Sequence, residues 1–243
     1  MVGVSHLSIG AMKAFPPVPP AEKPHRPLSE AMHRFYDDYD ALEVNANELY
    51  SKFKYTPLKG LDESISRRDP SKILKINGQY FVWYTHRDTP PCVGPDKATD
   101  MLPSYDWDLA EVWYATSDDG VTWREQGVAI RRPPQGQFGW RSVCTPDVLA
   151  YDGKYYLYYQ AFNEIPGMRG DICPATVSVA DSPRGPWKAL GKPCVDFGAE
   201  DEWDHIAIHD PYPLVYQGKI YLYYKSNLWS SMKGRRRSEM GNG

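Results

Sequence analysis

Three aspartates stand at comparable places in three repeated phrases of the chain. The phrases are Asp69-Pro70-Ser71-Lys72 running to Asn77-Gly78, Pro146-Asp147-Val148 running to Asp152-Gly153, and Asp210-Pro211-Tyr212 running to Gln217-Gly218. Each reads as Asp, strand, turn, strand. Carboxyl groups that converge from separate segments can divide a reaction between them, one activating water and another tuning or passing a proton. Arg67 and Arg68 directly precede Asp69. They would hold it ionised if they turn inward, and would do nothing for it if they face solvent. Asp-Pro also caps strands and opens turns for conformational reasons alone. Recurrence in three phrases favours the chemical reading.

His205 and His209 lie four residues apart. On a helix that spacing would suit a metal pair, but the residues that follow read as strand. His209, adjacent to Asp210, is therefore read as a substrate hydrogen-bonding group. Trp113, Thr145 and Gln160, each close to a predicted inner or second strand, complete the candidates for substrate contact, with core packing the stronger reading for Trp113. No phosphate-binding loop, dinucleotide fingerprint or nucleophile elbow occurs. No spacing demands a cofactor, although acids and histidines near one axis leave room for a divalent cation.

Short strands rich in Tyr, Val and Ile must position these groups from about Arg67 onward. Asn77-Gly78, Asp152-Gly153 and Gln217-Gly218 supply the positive φ of tight hairpin turns, and they are 75 and then 65 residues apart. A third strand repeats as well, from Val112 to Trp123 and again from Val177 to Trp187. A period of this length with about four strands is one β-propeller blade, whose innermost strand lines a central channel. An acid opening that strand in successive blades would gather carboxylates around one axis. The chain accounts for two blades and the first two strands of a third, fewer than a closed ring uses, so it is expected to be truncated at its C-terminus.

Ahead of the strands, residues 13–27 carry six prolines and predict an extended arm over 1–27. Pro27, Ser29 and apolar Met32, Phe35 and Tyr36 predict a helical segment within 28–58. The propeller then occupies 59–243, and its basic tail reads as a solvated loop.

Composition is that of a globular protein: 42% hydrophobic, 24% charged and 14% aromatic over 243 residues. A formal charge of −3 excludes a global field that would collect nucleic acid or an anionic membrane surface. No apolar run is long enough to span a membrane, and no basic-then-apolar leader opens the chain. A cytoplasmic location is expected, or a periplasmic one if a leader has been removed. Four widely spaced cysteines without a C-x-x-C pair predict free thiols.

At Ser66-Arg67-Arg68-Asp69-Pro70-Ser71-Lys72, Trp83-Tyr84-Thr85-His86-Arg87, Cys144-Thr145-Pro146-Asp147-Val148 and Ile208-His209-Asp210-Pro211-Tyr212, the chain resembles glycoside hydrolase family 117 over about residues 28–225. The resemblance implies an all-β, five-bladed propeller with a short N-terminal helical extension. It implies an exo-acting hydrolase of neoagarooligosaccharides such as neoagarobiose, releasing 3,6-anhydro-L-galactose with inversion. Under it Asp69 is the general base, Asp210 tunes pKa or steadies the transition state, and Asp147 is a third axial acid of less defined duty. The partner it implies is an agar-derived oligosaccharide, and the assembly a homodimer made by exchanging the N-terminal segment. The family's acid, in a Gly-His-Glu stretch of a later blade, is expected beyond Gly243. Another five-bladed glycosidase acting on arabinan or xylosides, or a non-catalytic carbohydrate-binding fragment, remains an alternative.

Overall fold

A computed structural model describes Pro27, Glu30 and His33 and residues 59–61, 65–168, 171–200 and 202–226. The chain divides into two compact units, Met1–Thr56 and Pro57–Gly243. In the first, Pro27, Glu30 and His33 are exposed, and the latter two are helical. The remainder of the arm over 1–27 and most of the segment over 28–58 lie outside the described residues, as does the basic tail.

The second unit is all-β and built as propeller blades. Blade 1 contains β1 (Ser66–Arg68), β2 (Leu74–Ile76), β3 (Gln79–Arg87), β4 (Glu111–Ser117) and β5 (Arg124–Ile130). The sheet order is β1-β3-β4-β5 with β2 also on β3, so β1 and β2 are two pieces of one inner strand. Blade 2 is β6 (Ser142–Tyr151), β7 (Lys154–Phe162), β8 (Ala175–Ala180) and β9 (Lys188–Ala189), paired in that order. Blade 3 shows β10 (His209–Tyr216) paired with β11 (Lys219–Lys225). All pairings within these sheets are antiparallel.

The hairpins form where the sequence predicts them. Both central residues of each turn have positive φ: Asn77 and Gly78 at 48° and 85°, Asp152 and Gly153 at 49° and 71°, Gln217 and Gly218 at 49° and 71°. Turns of this hand match the right-handed twist of the strands that they join. Strand alternation then assigns the two faces of each blade. Phe81, Trp83, Val112 and Tyr114 leave blade 1 toward blade 2 and pack with Val143, Val148, Leu157 and Tyr159 in one buried cluster. Trp83 is fully buried, with Trp187 against its edge. Losing a Trp of this kind costs about 3–5 kcal/mol. On the other face of blade 1, Tyr84, Ala115 and Trp123 form a second cluster that Leu61 and Trp113 cover.

All four cysteines are free, with Cys144 and Cys173 buried. Among the described residues no helix is long and apolar enough to cross a membrane.

Candidate active site

The inner strand of each described blade breaks at an X-Pro step. Asp69, Thr145 and Asp210 each precede a proline and take φ of 48°, 49° and 49°. Proline cannot donate to the strand ladder, so pairing slips where it falls. The slip separates β1 from β2, lies between Cys144 and Asp147 in β6, and lies between His209 and Tyr212 in β10. Left-handed backbone at non-glycine residues is held only by surrounding structure, and it clusters at functional sites.

This geometry corrects two expectations. The acids do not open their strands but sit at bulges inside them. The blade 2 member of the series is Thr145, not Asp147. Counting from the proline, Asp147 falls two residues past the bulge, and its carboxylate accepts from the Lys72 backbone N–H at 3.1 Å and from Lys72 Nζ at 2.5 Å.

Asp69, Thr145 and Asp210 line a cavity of about 430 Å³, within the range that encloses small ligands. Asp69 and Asp210 each have a cation beside them. Arg68 Nε donates to Asp69 Oδ2 at 2.9 Å, while Arg67 turns away and donates to both oxygens of Glu125 at 2.8 and 2.6 Å. Lys225 ion-pairs with Asp210, brought there by the β10–β11 register that sets His209 opposite Lys225. The Arg68 guanidinium lies 5.1 Å from the ring centroid of Trp107, which also lines the cavity.

Trp107 is carried on the loop between β3 and β4, and buried charge fixes that loop. Arg141 and Asp108, both fully buried, meet through two bonds of 2.6 Å, and Arg141 also reaches the Thr99 carbonyl at 2.8 Å. Asp106 accepts from Arg87 at 2.5 Å and from the Ser66 hydroxyl at 2.8 Å. Arg87 and Ser66 hold Asp106 below the usual carboxylate range, although its burial pushes the other way. Loops anchored on a rigid scaffold are where binding groups belong.

Of the predicted contact residues, Thr145, Gln160 and His209 line the cavity and Trp113 does not. Trp113 pairs with Tyr84 in register, on the face of blade 1 away from blade 2, and stacks on His86 at 3.8 Å. Gln160 is committed to the protein: its Oε1 accepts from the Asp210 N–H at 3.2 Å, and its Nε2 donates to Cys173 Sγ at 3.2 Å. His209 donates from Nε2 to the Asp171 carbonyl at 2.9 Å.

Arg68 was in view as a neighbour of Asp69, whereas Trp107, Asp171, Lys225 and Ser226 are lining residues that sequence reasoning missed. Lys225 follows Tyr223-Tyr224 as Thr85 follows Trp83-Tyr84 and Gln160 follows Tyr158-Tyr159, so aligning second strands would have found it. Asp171 carries no such repeat signal. Burial pushes its carboxyl up despite His209, the Gly167 N–H and Lys225, and among the described residues its Oδ1 is buried without a partner.

Among the described residues no group of three or more His, Cys, Asp or Glu side chains is arranged to hold a metal ion. The Asp147 carboxylate and the Val148 and Pro213 carbonyls instead surround Lys72 Nζ.

Carboxylates borne on the inner strands of separate propeller blades, here blades 1 and 3, each beside a cation and lining one cavity, are the arrangement of a β-propeller glycoside hydrolase. The family model described as Glycosyl hydrolases family 43 matches residues 101–238, more than half of the chain. A solved structure of Zg3597, a family 117 glycoside hydrolase produced by the marine bacterium Zobellia galactanivorans, is similar at 58% identity and a TM-score of 0.68. That likeness covers 70% of this chain and 52% of the other. A second structure, titled only glycoside hydrolase, shares the fold at 12% identity and a TM-score of 0.53, covering 75% of this chain and 56% of its own. A family 43 β-xylosidase/α-arabinofuranosidase from a compost microbial metagenome aligns at 24% identity and a TM-score of 0.48, over 71% of this chain and 46% of that one. No curated protein sequence matches. The chain belongs to the family 43 group of propeller glycosyl hydrolases and is of the family 117 type. It spans about half the length of the solved structures that it resembles.

Proposed function

We propose that the protein containing this chain is an exo-acting glycoside hydrolase that cleaves the terminal α-1,3 bond of neoagarooligosaccharides, neoagarobiose among them, and releases 3,6-anhydro-L-galactose with inversion. The observation that carries this reading is the pairing of Asp69 with Arg68 and of Asp210 with Lys225 at the rim of one cavity. The 58% identity to a family 117 glycoside hydrolase supports the substrate class. Asp69 is the base: Arg68 takes Oδ2, and the other oxygen serves the attacking water. Asp210, ion-paired with Lys225, is the second acid, which tunes the site and steadies positive charge that develops at the anomeric carbon. Trp107 offers an aromatic face to a sugar ring. The proton for the departing oxygen comes from the residue that the family resemblance places beyond Gly243. These steps require no cofactor and leave room for a divalent cation near the propeller axis, and the protein works as a homodimer through its N-terminal segment.

Product analysis on neoagarobiose, xylobiose and arabinobiose tests the reading. Galactose and 3,6-anhydro-L-galactose released from neoagarobiose alone are expected. Cleavage of a pentose disaccharide instead would move the assignment to the second reading, a pentoside hydrolase, which the family 43 match over 101–238 favours.

A further inference from the structure

Lys72 lies three residues past Asp69 and is the side chain through which blade 1 reaches both other described blades. Its Nζ is 2.5 Å from Asp147 Oδ2 and 3.0 Å from the Val148 carbonyl in blade 2, and 3.2 Å from the Pro213 carbonyl in blade 3. An ammonium has three donors, and three acceptors meet it here. The Tyr212 ring lies 4.5 Å from the same nitrogen, within cation–π range. Every one of these contacts falls two or three residues past a bulge: Asp147 and Val148 past Thr145, Tyr212 and Pro213 past Asp210. A hollow of about 280 Å³ lined by Lys72, Asp147 and Tyr212 also touches Asp69, Thr145 and Asp210. The ammonium therefore ties together the backbone segments that carry the proposed base and the second acid.

We infer that Lys72 is a positioning residue, a tethered cation on the propeller axis that fixes Asp69 relative to Asp210 by binding the inner strands of blades 2 and 3. Lysine suits this place because a compact ammonium can serve three acceptors that diverge around it, which a planar guanidinium cannot. The cation is covalently part of blade 1, so it is never diluted away. Removing it leaves a carboxylate and two carbonyls facing each other, a set that a small free cation would satisfy. The kinetic part of the inference rests on the glycosidase reading; the cation-binding part does not.

The test compares the native protein with Lys72→Ala and Lys72→Met, measuring kcat and KM on neoagarobiose and the unfolding midpoint, each with and without ethylammonium. Misplacing a reacting group by about 1 Å can cost about 100-fold, so Lys72→Ala is expected to lose about 10- to 100-fold in kcat with little change in KM. Ethylammonium should restore Lys72→Ala to at least half of the native rate and do nothing for Lys72→Met, whose side chain fills the space. A folded Lys72→Met with native kcat would overturn the inference, as would equal responses of both variants to ethylammonium. If the native protein releases no sugar from neoagarobiose, the glycosidase reading fails and the midpoints decide. Ethylammonium raising the midpoint of Lys72→Ala but not of Lys72→Met supports the tethered cation, and no difference overturns it. Should Lys72→Ala not fold, its recovery during refolding only when ethylammonium is present supports the inference, and failure in both conditions overturns it.

Discussion

The backbone N–H of Asp210 donates to Oε1 of Gln160, 3.2 Å away across the seam between blades 2 and 3. The same device joins blades 1 and 2, where the Thr145 N–H donates to Thr85 Oγ1 at 2.7 Å. Each bulge lifts an N–H out of the strand ladder, and a buried N–H needs a partner. A side chain on the second strand of the preceding blade supplies it. The bulge that places Asp210 at the cavity is thus held by its neighbouring blade.

Gln160→Leu removes the acceptor and keeps the bulk. Leaving the Asp210 N–H unpaired should lower stability by about 1–3 kcal/mol in denaturant unfolding. It should also reduce kcat more than it changes KM, because Asp210 is displaced while the cavity wall remains. An unchanged kcat in a folded variant would remove Gln160 from the set of positioning groups.

Trp107 and Trp113 should separate cleanly. Trp107 lines the cavity, so Trp107→Ala should raise KM about fivefold, the loss of a stacking surface worth roughly 1 kcal/mol. Trp113 stacks on His86 outside the cavity, and Trp113→Phe should leave KM within about twofold of native. The reverse pattern in steady-state kinetics would contradict the placement of both rings.

Acid should weaken the fold through Glu125 and His86. The Arg67 guanidinium holds Glu125 below the usual carboxylate range, with burial opposing and the Tyr84 hydroxyl at 2.5 Å assisting. A depressed carboxylate contributes stability above its unfolded pKa and loses it as pH falls through the folded value, a window below about pH 4.5. Burial pushes His86 down as well, so its contribution is present above about pH 6.5 and fades as pH falls. Unfolding midpoints followed from pH 8 to 3 should decline in both windows. Glu125→Gln should flatten the lower one, and an unaltered slope there would contradict the assignment.

Asp171 carries the opposite sign. Its carboxyl is pushed up, chiefly by burial, so its ionisation opposes folding. The contribution of the neutral form is present below the unfolded pKa and lost as pH rises through the folded one. Asp171→Asn should therefore raise the melting temperature at pH 7 and not at pH 3. A lower melting temperature at pH 7 would show that the carboxylate is a needed partner.

Much of the fold was legible because hairpins are local. Asn77-Gly78, Asp152-Gly153 and Gln217-Gly218 set the register of three hairpins within two residues, and Asp69 and Asp210 follow from their phrases. Asp147 misled because an acid near the expected place resembled its neighbours, while the structural signature is the proline that follows the bulge residue. Trp113 packs against the core, as the stronger of its two readings had it, and its place among the contact candidates fell for lack of a face: a one-residue step along β4 exchanges the side toward blade 2 for the side away from it. Trp107 and Asp171 arrive from loops, whose paths are set by long-range contacts such as Arg141 with Asp108 and His209 with Asp171. No local pattern encodes those.

The most direct measurement is the release of 3,6-anhydro-L-galactose from neoagarobiose by the native protein and by Asp69→Asn, with folding of both verified by circular dichroism. Native release, with a fall of about 10²- to 10⁴-fold in the variant, is the predicted result. Undiminished release by a folded Asp69→Asn would contradict the account of the site, and no release by the native protein would contradict the substrate.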